Sequence, residues 1–259
     1  MKKVVIFLGR QGLGFFIHFY RVCACLGAAV GQLRYVHFYR RQIIEQMYRI
    51  GLGSIPLVAG LSLFTGLATA IQTAYQIASY VPKYVVGSIV FQSEMLELAP
   101  TLMALVLAGR VGAGIASEIG TMKVSEQVDA LESMGVDPIG YLVMPRIIAG
   151  VTMFPMIIIF AVVVAVAGGY YVAINLMAVS PPDFVRGMKE AFRFKDVWVG
   201  LIKATIYGGI ITLLGSYLGM ETEQGAKGVG MAATATVVSS SSFILVMDYI
   251  LTRTLLKFY

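Results

Sequence analysis

Two stretches of this sequence contain no charged residue: Ile50 to Pro82, 33 residues long, and Ile147 to Pro182, 36 residues long. About 20 apolar residues are enough for a helix to cross the hydrocarbon core of a bilayer, so each stretch holds a spanning helix and part of its exit. The rest of the chain agrees. Of its 259 residues 58% are hydrophobic and 13% charged, with a mean hydropathy of +0.80, whereas an ordinary soluble domain is about 25% charged. Two soluble domains of usual size are thereby excluded, and one all-α integral membrane domain is expected.

The charges are few, and their positions are informative. Residues 1 to 49 carry Lys2, Lys3, Arg10, Arg21, Arg34, Arg40, Arg41 and Arg49 against the single acid Glu45. Cations before a first span hold that end in the cytoplasm and attract anionic headgroups. No aromatic-and-basic reading surface accompanies them, so no nucleic-acid partner is expected. Arg10, His18 and Arg21 break the apolar core that a signal peptide needs. Phe16, Phe19, Cys23, Leu26, Val30 and Leu33 recur at steps of three and four, while Arg10, His18, Arg21 and Gln32 fall on another face. This predicts an amphipathic interfacial helix within residues 1–45. The rival is an extra span, since Cys25 to Val30 is apolar all round.

Five transmembrane helices are expected at 50–75, 84–112, 147–175, 198–220 and 231–252, or six if the amphipathic start crosses. Lys203, near the start of the fourth, is expected to snorkel to the headgroups. Between the second and third lies the only acidic polar segment, Glu118, Glu126, Asp129, Glu132 and Asp137 with Lys123. Val124, Val128 and Leu131 step through it by four and three, which predicts a short amphipathic helix over 118–137, stopped by Gly135 and Pro138. With the N-terminus inside, twelve cations lie on the cytoplasmic side and eight outside, and the 118–137 helix is cytoplasmic.

Glu94 and Glu97 interrupt the second span. A carboxylate at the bilayer centre costs roughly 2.5–3.5 kcal/mol, so both should face protein or water. Three residues apart, they share a helix face, with Glu97 the deeper. They read either as a substrate or proton site or as headgroup-level carboxylates paired with lysine. The rows Ala108, Gly112, Ala116 and Gly109, Ala113, Ser117, with Gly215 and Gly219, read as close helix packing. Cys23 and Cys25 point about 200° apart on a helix and suit neither a disulfide nor a metal clip; His18 and His37 have no companions for zinc. Gly228-Val-Gly230 precedes a span rather than opening a strand–helix turn, so no nucleotide site is expected, no residue is assigned as catalytic and no cofactor is expected in this chain. Energy must come from a partner or an ion gradient, and a proton-coupled secondary transporter using Glu94 and Glu97 is the alternative reading.

Leu96-Glu-Leu-Ala-Pro100, Leu107 to Met122 with its Ala-Gly-Arg and Glu-Ile-Gly-Thr-Met elements, Ser125 to Pro138, and Met144-Pro-Arg146 together resemble the MlaE family of ABC-transporter permeases. The resemblance implies a homodimer in the bacterial inner membrane. It also implies two cytoplasmic ATPase subunits that bind ATP and Mg²⁺, an outer ring of MCE-domain lipid-binding subunits, and phospholipid as substrate. By the same resemblance Glu118, Lys123, Glu126, Asp129, Glu132 and Asp137 lie on a coupling helix for the ATPase. Glu97 falls on the family's glutamate beside the lipid pocket, and Thr69, Gln72, Ile77 and Tyr80 fall on pocket-lining positions, with Glu94 beside them. Leu96 and Ala235 stand where well-known members carry arginine, so interior positive charge is reduced.

Overall fold

A computed structural model describes residues 2–77, 82–223 and 225–257, with side chains of residues 2–15 and 256 outside the description. Tyr80 therefore lies outside the described residues. The described chain is helical with no strand. Helix α1 (Lys2–Gly31) leads through a short 3₁₀ turn to α2 (Arg40–Ile50) and α3 (Ile55–Gln76). A forty-residue rod, Val85–Val124, returns. It is built from α4 (Val85–Ser93), α5 (Met103–Leu107) and α6 (Ala113–Val124), joined without a break by π-helical turns at Glu94–Leu102 and Ala108–Gly112. The short α7 (Gln127–Ser133), the long α8 (Met144–Met177), α9 (Pro181–Ala191), α10 (Phe194–Met220) and α11 (Ala226–Lys257) complete it. The bundle thus has an α7 end and an α9 end.

Close helix contacts follow from small residues. A Cβ on Gly66 of α3 would lie 1.8 Å from the Ala165 carbonyl oxygen of α8, so these two helices touch backbone to backbone. Ala108, Gly112 and Ala116 are buried against α10 and α11, where a Cβ on Gly215 would lie 2.9 Å from the Gly112 carbonyl oxygen. The row Gly109, Ala113, Ser117 lies on the partly exposed side of the same helix. The core formed this way runs through Met95, Leu107, Ile119, Phe154, Ile158, Tyr207 and Ile211.

Among the described residues six stretches are long and apolar enough to cross a membrane: Phe16–Tyr35, Arg40–Gln76, Val85–Val124, Ile139–Met177, Phe194–Met220 and Ala226–Leu255. The first differs from the others, with only 6% of its most apolar window buried. Its polar face makes three contacts. His18 Nδ1 lies 3.0 Å from the Tyr217 hydroxyl, Arg21 pairs with Glu221 at 2.9 Å, and Gln32 donates to Asp137 at 2.6 Å. His18 and Gln32 are separated by about 21 Å of helix, yet all three partners sit at the α7 end. Helix α1 therefore runs across that end of the bundle.

The segment 118–137 is not one helix. Glu118 and Lys123 belong to α6, the end of the rod. The chain breaks at Ser125 and Glu126, the latter at φ +60°, before α7 begins. Positive φ in a non-glycine residue marks a sharp local turn, and no spacing of apolar residues announces it. The polar segment 183–196 contains α9, capped by Ser180, whose hydroxyl accepts from the Asp183 amide at 3.2 Å.

Candidate functional site

The proline of Leu96-Glu-Leu-Ala-Pro100 shapes the site. Proline has no amide hydrogen and its ring excludes the carbonyl four residues back, here that of Leu96. The rod accommodates Pro100 by widening into a π turn, a device frequent at functional sites. The Leu96 carbonyl, which cannot accept from residue 100, accepts from a side chain of another helix: Lys203 Nζ of α10 donates to it at 3.0 Å. The same ammonium meets Glu97 Oε2 at 2.6 Å and Asp248 Oδ1 of α11 at 2.8 Å. Asp248 Oδ1 also accepts from the Tyr207 hydroxyl at 2.6 Å and from Thr101 at 3.1 Å.

Lys203 does not snorkel. Its side chain is 1% exposed, against 14% for Asp248 and 46% for Glu97. Three oxygen acceptors inside the bundle replace the water it gives up, which is the condition for burying an ammonium. Two carboxylates share one cation, and Glu97 carries the exposed edge of the cluster.

Beside Glu97 opens a cavity of about 610 Å³ toward the α9 end, between the outer half of α3 and the rod. Thr69, Gln72 and Ile77 line it with Glu97, so four of the positions singled out by sequence converge. Thr73, Gln76, Ile89, Ser93 and Leu98 complete the wall. Glu94 lies behind it, fully buried, its Oε1 accepting from Thr69 Oγ1 at 3.2 Å. Glu94 and Glu97 are thus not a pair: each carboxylate has a different partner, and Glu94 is the more buried of the two. Hydroxyls and amides beside apolar groups, with a braced carboxylate at one edge, suit an amphiphile rather than a purely polar solute. Among the described residues no group of three or more His, Cys, Asp or Glu is placed to hold a metal ion.

The residues expected to couple to a partner divide into two sets. Glu118 is engaged within the chain, pairing with Arg49 of α2 and with buried Arg146 of α8, both at 3.1 Å. Asp137 accepts from the amides of Ile139 and Gly140 at 3.2 Å and from Gln32. Lys123 and Asp129 pair at 2.7 Å across the turn, and Glu126 and Glu132 are exposed. Helix α7 inserts Val128 into the bundle and presents the rest of its surface outward.

Sequence reasoning missed Lys203, Asp248, Tyr207 and Thr101 as members of the site. A signal was available: Lys203 and Asp248 are the lone charges of the stretches 198–220 and 231–252, and they are opposite in sign. Two such charges in neighbouring membrane helices are expected to find one another.

The model of the family described as permease MlaE matches residues 43–254, which takes in every residue of the cavity and the ion cluster. This chain belongs to the MlaE permease family. A probable ABC transporter permease of Rickettsia typhi is 40% identical over 219 residues, 85% of each chain. Another from Synechocystis is 38% identical over 212 residues, covering 82% of this chain and 81% of that one. The intermembrane phospholipid transport system permease protein MlaE of Haemophilus influenzae is 32% identical over 249 residues, 95% of this chain and 94% of the relative. As a member of the MlaE family with this set of apolar helices, the chain is a multi-pass inner-membrane protein.

Proposed function

We propose that this chain is the permease subunit of an ABC-type transporter that moves phospholipids between the inner and outer membranes, with ATP hydrolysed by separate subunits. The observation that carries the reading is the amphiphilic cavity of about 610 Å³ lined by Thr69, Gln72, Ile77 and Glu97. It lies in a chain of the family that includes the intermembrane phospholipid permease of Haemophilus influenzae. Headgroup oxygens would meet the hydroxyls and amides, and acyl chains would lie along Ile77, Ile89 and Leu98.

Two copies would form the permease, with one ATPase seated on each α7 at the cytoplasmic end and a ring of MCE-domain subunits over the α9 end. ATP-driven closure of the ATPases would push on α7. Because α7 follows the rod, which forms one wall of the cavity, and leads into α8, which packs against α3, the other wall, movement there would reach both. The exposed acids Glu126, Asp129 and Glu132 are the contacts that fit a basic groove.

The test is reconstitution of the permease, its ATPase and its MCE partner in vesicles carrying a fluorescent phospholipid, with acceptor vesicles alongside. Transfer that requires ATP and is lost in Glu97→Ala, with the complex intact by size, is the expected result. Transfer driven by a proton gradient without ATPase, or full transfer in Glu97→Ala, overturns the proposal.

A further inference from the structure

A second cavity, of about 430 Å³ and open on one side, lies in the half of the bundle toward the α7 end, between α1, α10 and α11, and reaches the middle of both α10 and α11. Val22, Leu214, Leu218 and Phe243 give it an apolar lining, and His18 and Tyr217 meet at its edge, 3.0 Å apart. A volume of this size falls within the range of about 300–1,000 Å³ typical of ligand sites. Water does not suit it, since a buried water needs two to four polar partners.

The surroundings specify the occupant. Helix α1 runs across the α7 end of a membrane-embedded bundle, and of its described side chains only Ala29 is buried, so beyond the His18–Tyr217 and Arg21–Glu221 contacts its hold on α10 and α11 depends on what fills this gap. At that depth the abundant apolar filler is an acyl chain. At the mouth, Arg21 is half-exposed and donates one N–H to Glu221. A guanidinium has five such donors, so a phosphate can be taken alongside Glu221. The first 49 residues hold eight cations against one acid, which favours an anionic headgroup at this face.

We propose that this cavity binds one acyl chain of an anionic phospholipid from the leaflet at the α7 end, with the phosphate on Arg21, as a resident lipid that fastens α1 to α10 and α11. This site is separate from the cavity at Glu97 and does not depend on what that cavity carries.

The test uses the full chain with its co-purifying subunits in vesicles of phosphatidylethanolamine and phosphatidylglycerol. A small share of the phosphatidylglycerol carries a diazirine near the end of one acyl chain, and adducts are mapped after irradiation. Labelling of residues 210–218 and 239–243 should exceed labelling at Val163, an exposed position on α8. Ser239→Trp, and independently Val22→Trp from the α1 side, should lower it about tenfold while adducts at Val163 and in the Glu97 cavity persist. Arg21→Ala should weaken labelling by the phospholipid but not by a free fatty acid with the same diazirine. Labelling no higher than at Val163, or unchanged by both tryptophan variants, overturns the proposal. So does a cross-link through Cys23 to a second copy in place of lipid adducts, and an Arg21→Ala result equal to wild type for both probes overturns the assignment of the headgroup.

Discussion

Pro100 and Lys203 act on the same atom, the Leu96 carbonyl oxygen: the proline withholds the amide hydrogen that an α-helix would direct to it, and the lysine supplies an ammonium hydrogen at 3.0 Å. The Glu-Leu-x-Pro element therefore does two jobs three residues apart. Its glutamate gives the ammonium a carboxylate, and its proline frees a backbone acceptor beside it. Without this carbonyl, Lys203, whose side chain is 1% exposed, would be buried with two carboxylates and one fewer neutral ligand.

Replacing Pro100 separates the stability of the rod from the placement of the lysine. Pro100→Ala restores an amide that can bond to Leu96, and a helix interior favours alanine over proline by about 3 kcal/mol. Thermal unfolding in detergent should show a midpoint no lower than wild type, while ATP-driven lipid transfer falls because Lys203 has lost an acceptor. A strongly lowered midpoint with normal transfer would show that the π turn serves packing alone.

The ion cluster itself should be costly to break from one side. Lys203→Met leaves Glu97 and Asp248 facing each other without their cation, and removal of one member of a buried pair costs about 3–5 kcal/mol. Asp248→Asn leaves Lys203 with Glu97 and Leu96 and should cost less. A double-mutant cycle over Lys203 and Asp248 should give a coupling energy of about 0.5–3 kcal/mol; strict additivity would mean that their 2.8 Å contact contributes nothing.

Filling the cavity addresses transport without touching the cluster. Gln72 lines the cavity on the exposed side of α3, and its side chain makes no contact on which the ion cluster depends. Gln72→Trp should leave assembly and unfolding unchanged while lipid transfer falls by about tenfold, a loss equivalent to ~1.4 kcal/mol. Transfer equal to wild type would remove this cavity from the transport path.

Charge-free runs make the membrane class and the helices legible, because 36 successive uncharged and mostly apolar residues exceed the length a spanning helix needs. The cavity positions Thr69, Gln72, Ile77 and Glu97 come from family resemblance rather than periodicity, and the structure brings them around one cavity, the first three on the α3 side and Glu97 on the rod. What stayed hidden depended on contacts across helices. Asp248 lies 45 residues after Lys203, and the one sign of their pairing is that each is the lone charge of its span and opposite in sign; a lysine near the start of a span reads equally well as snorkelling to the headgroups. Likewise the pattern Val124, Val128, Leu131 runs smoothly through Glu126, although the backbone there turns to φ +60° and ends α6. Apolar spacing reports which face is buried and not where a helix stops.

The acids at the α7 end should separate into two classes of variant. Reversing Glu126, Asp129 and Glu132 to lysine alters exposed side chains, so the permease should purify normally and lose its ATPase. Glu118→Gln instead weakens the bridge between Arg49 and buried Arg146 and should lower stability by roughly 1–3 kcal/mol with ATPase binding retained. Co-purification and unfolding midpoints measured on both variants check the division; an ATPase that remains bound to the triple variant would move the docking surface away from α7.

The tightest helix contact gives the last expectation. Gly66 approaches the Ala165 carbonyl so closely that any side chain must push α3 away from α8, and α3 carries Thr69, Gln72 and Ile77 of the cavity wall. Gly66→Ala should therefore destabilise by about 1–3 kcal/mol through overpacking and also lower transfer, since the wall moves with the helix. Gly60, on the same helix, has nothing within 4 Å of an added Cβ, and Gly60→Ala should be neutral or slightly stabilising. Equal unfolding midpoints for the two variants would mean that α3 is free to shift along α8, and the cavity wall would then not be fixed by this contact.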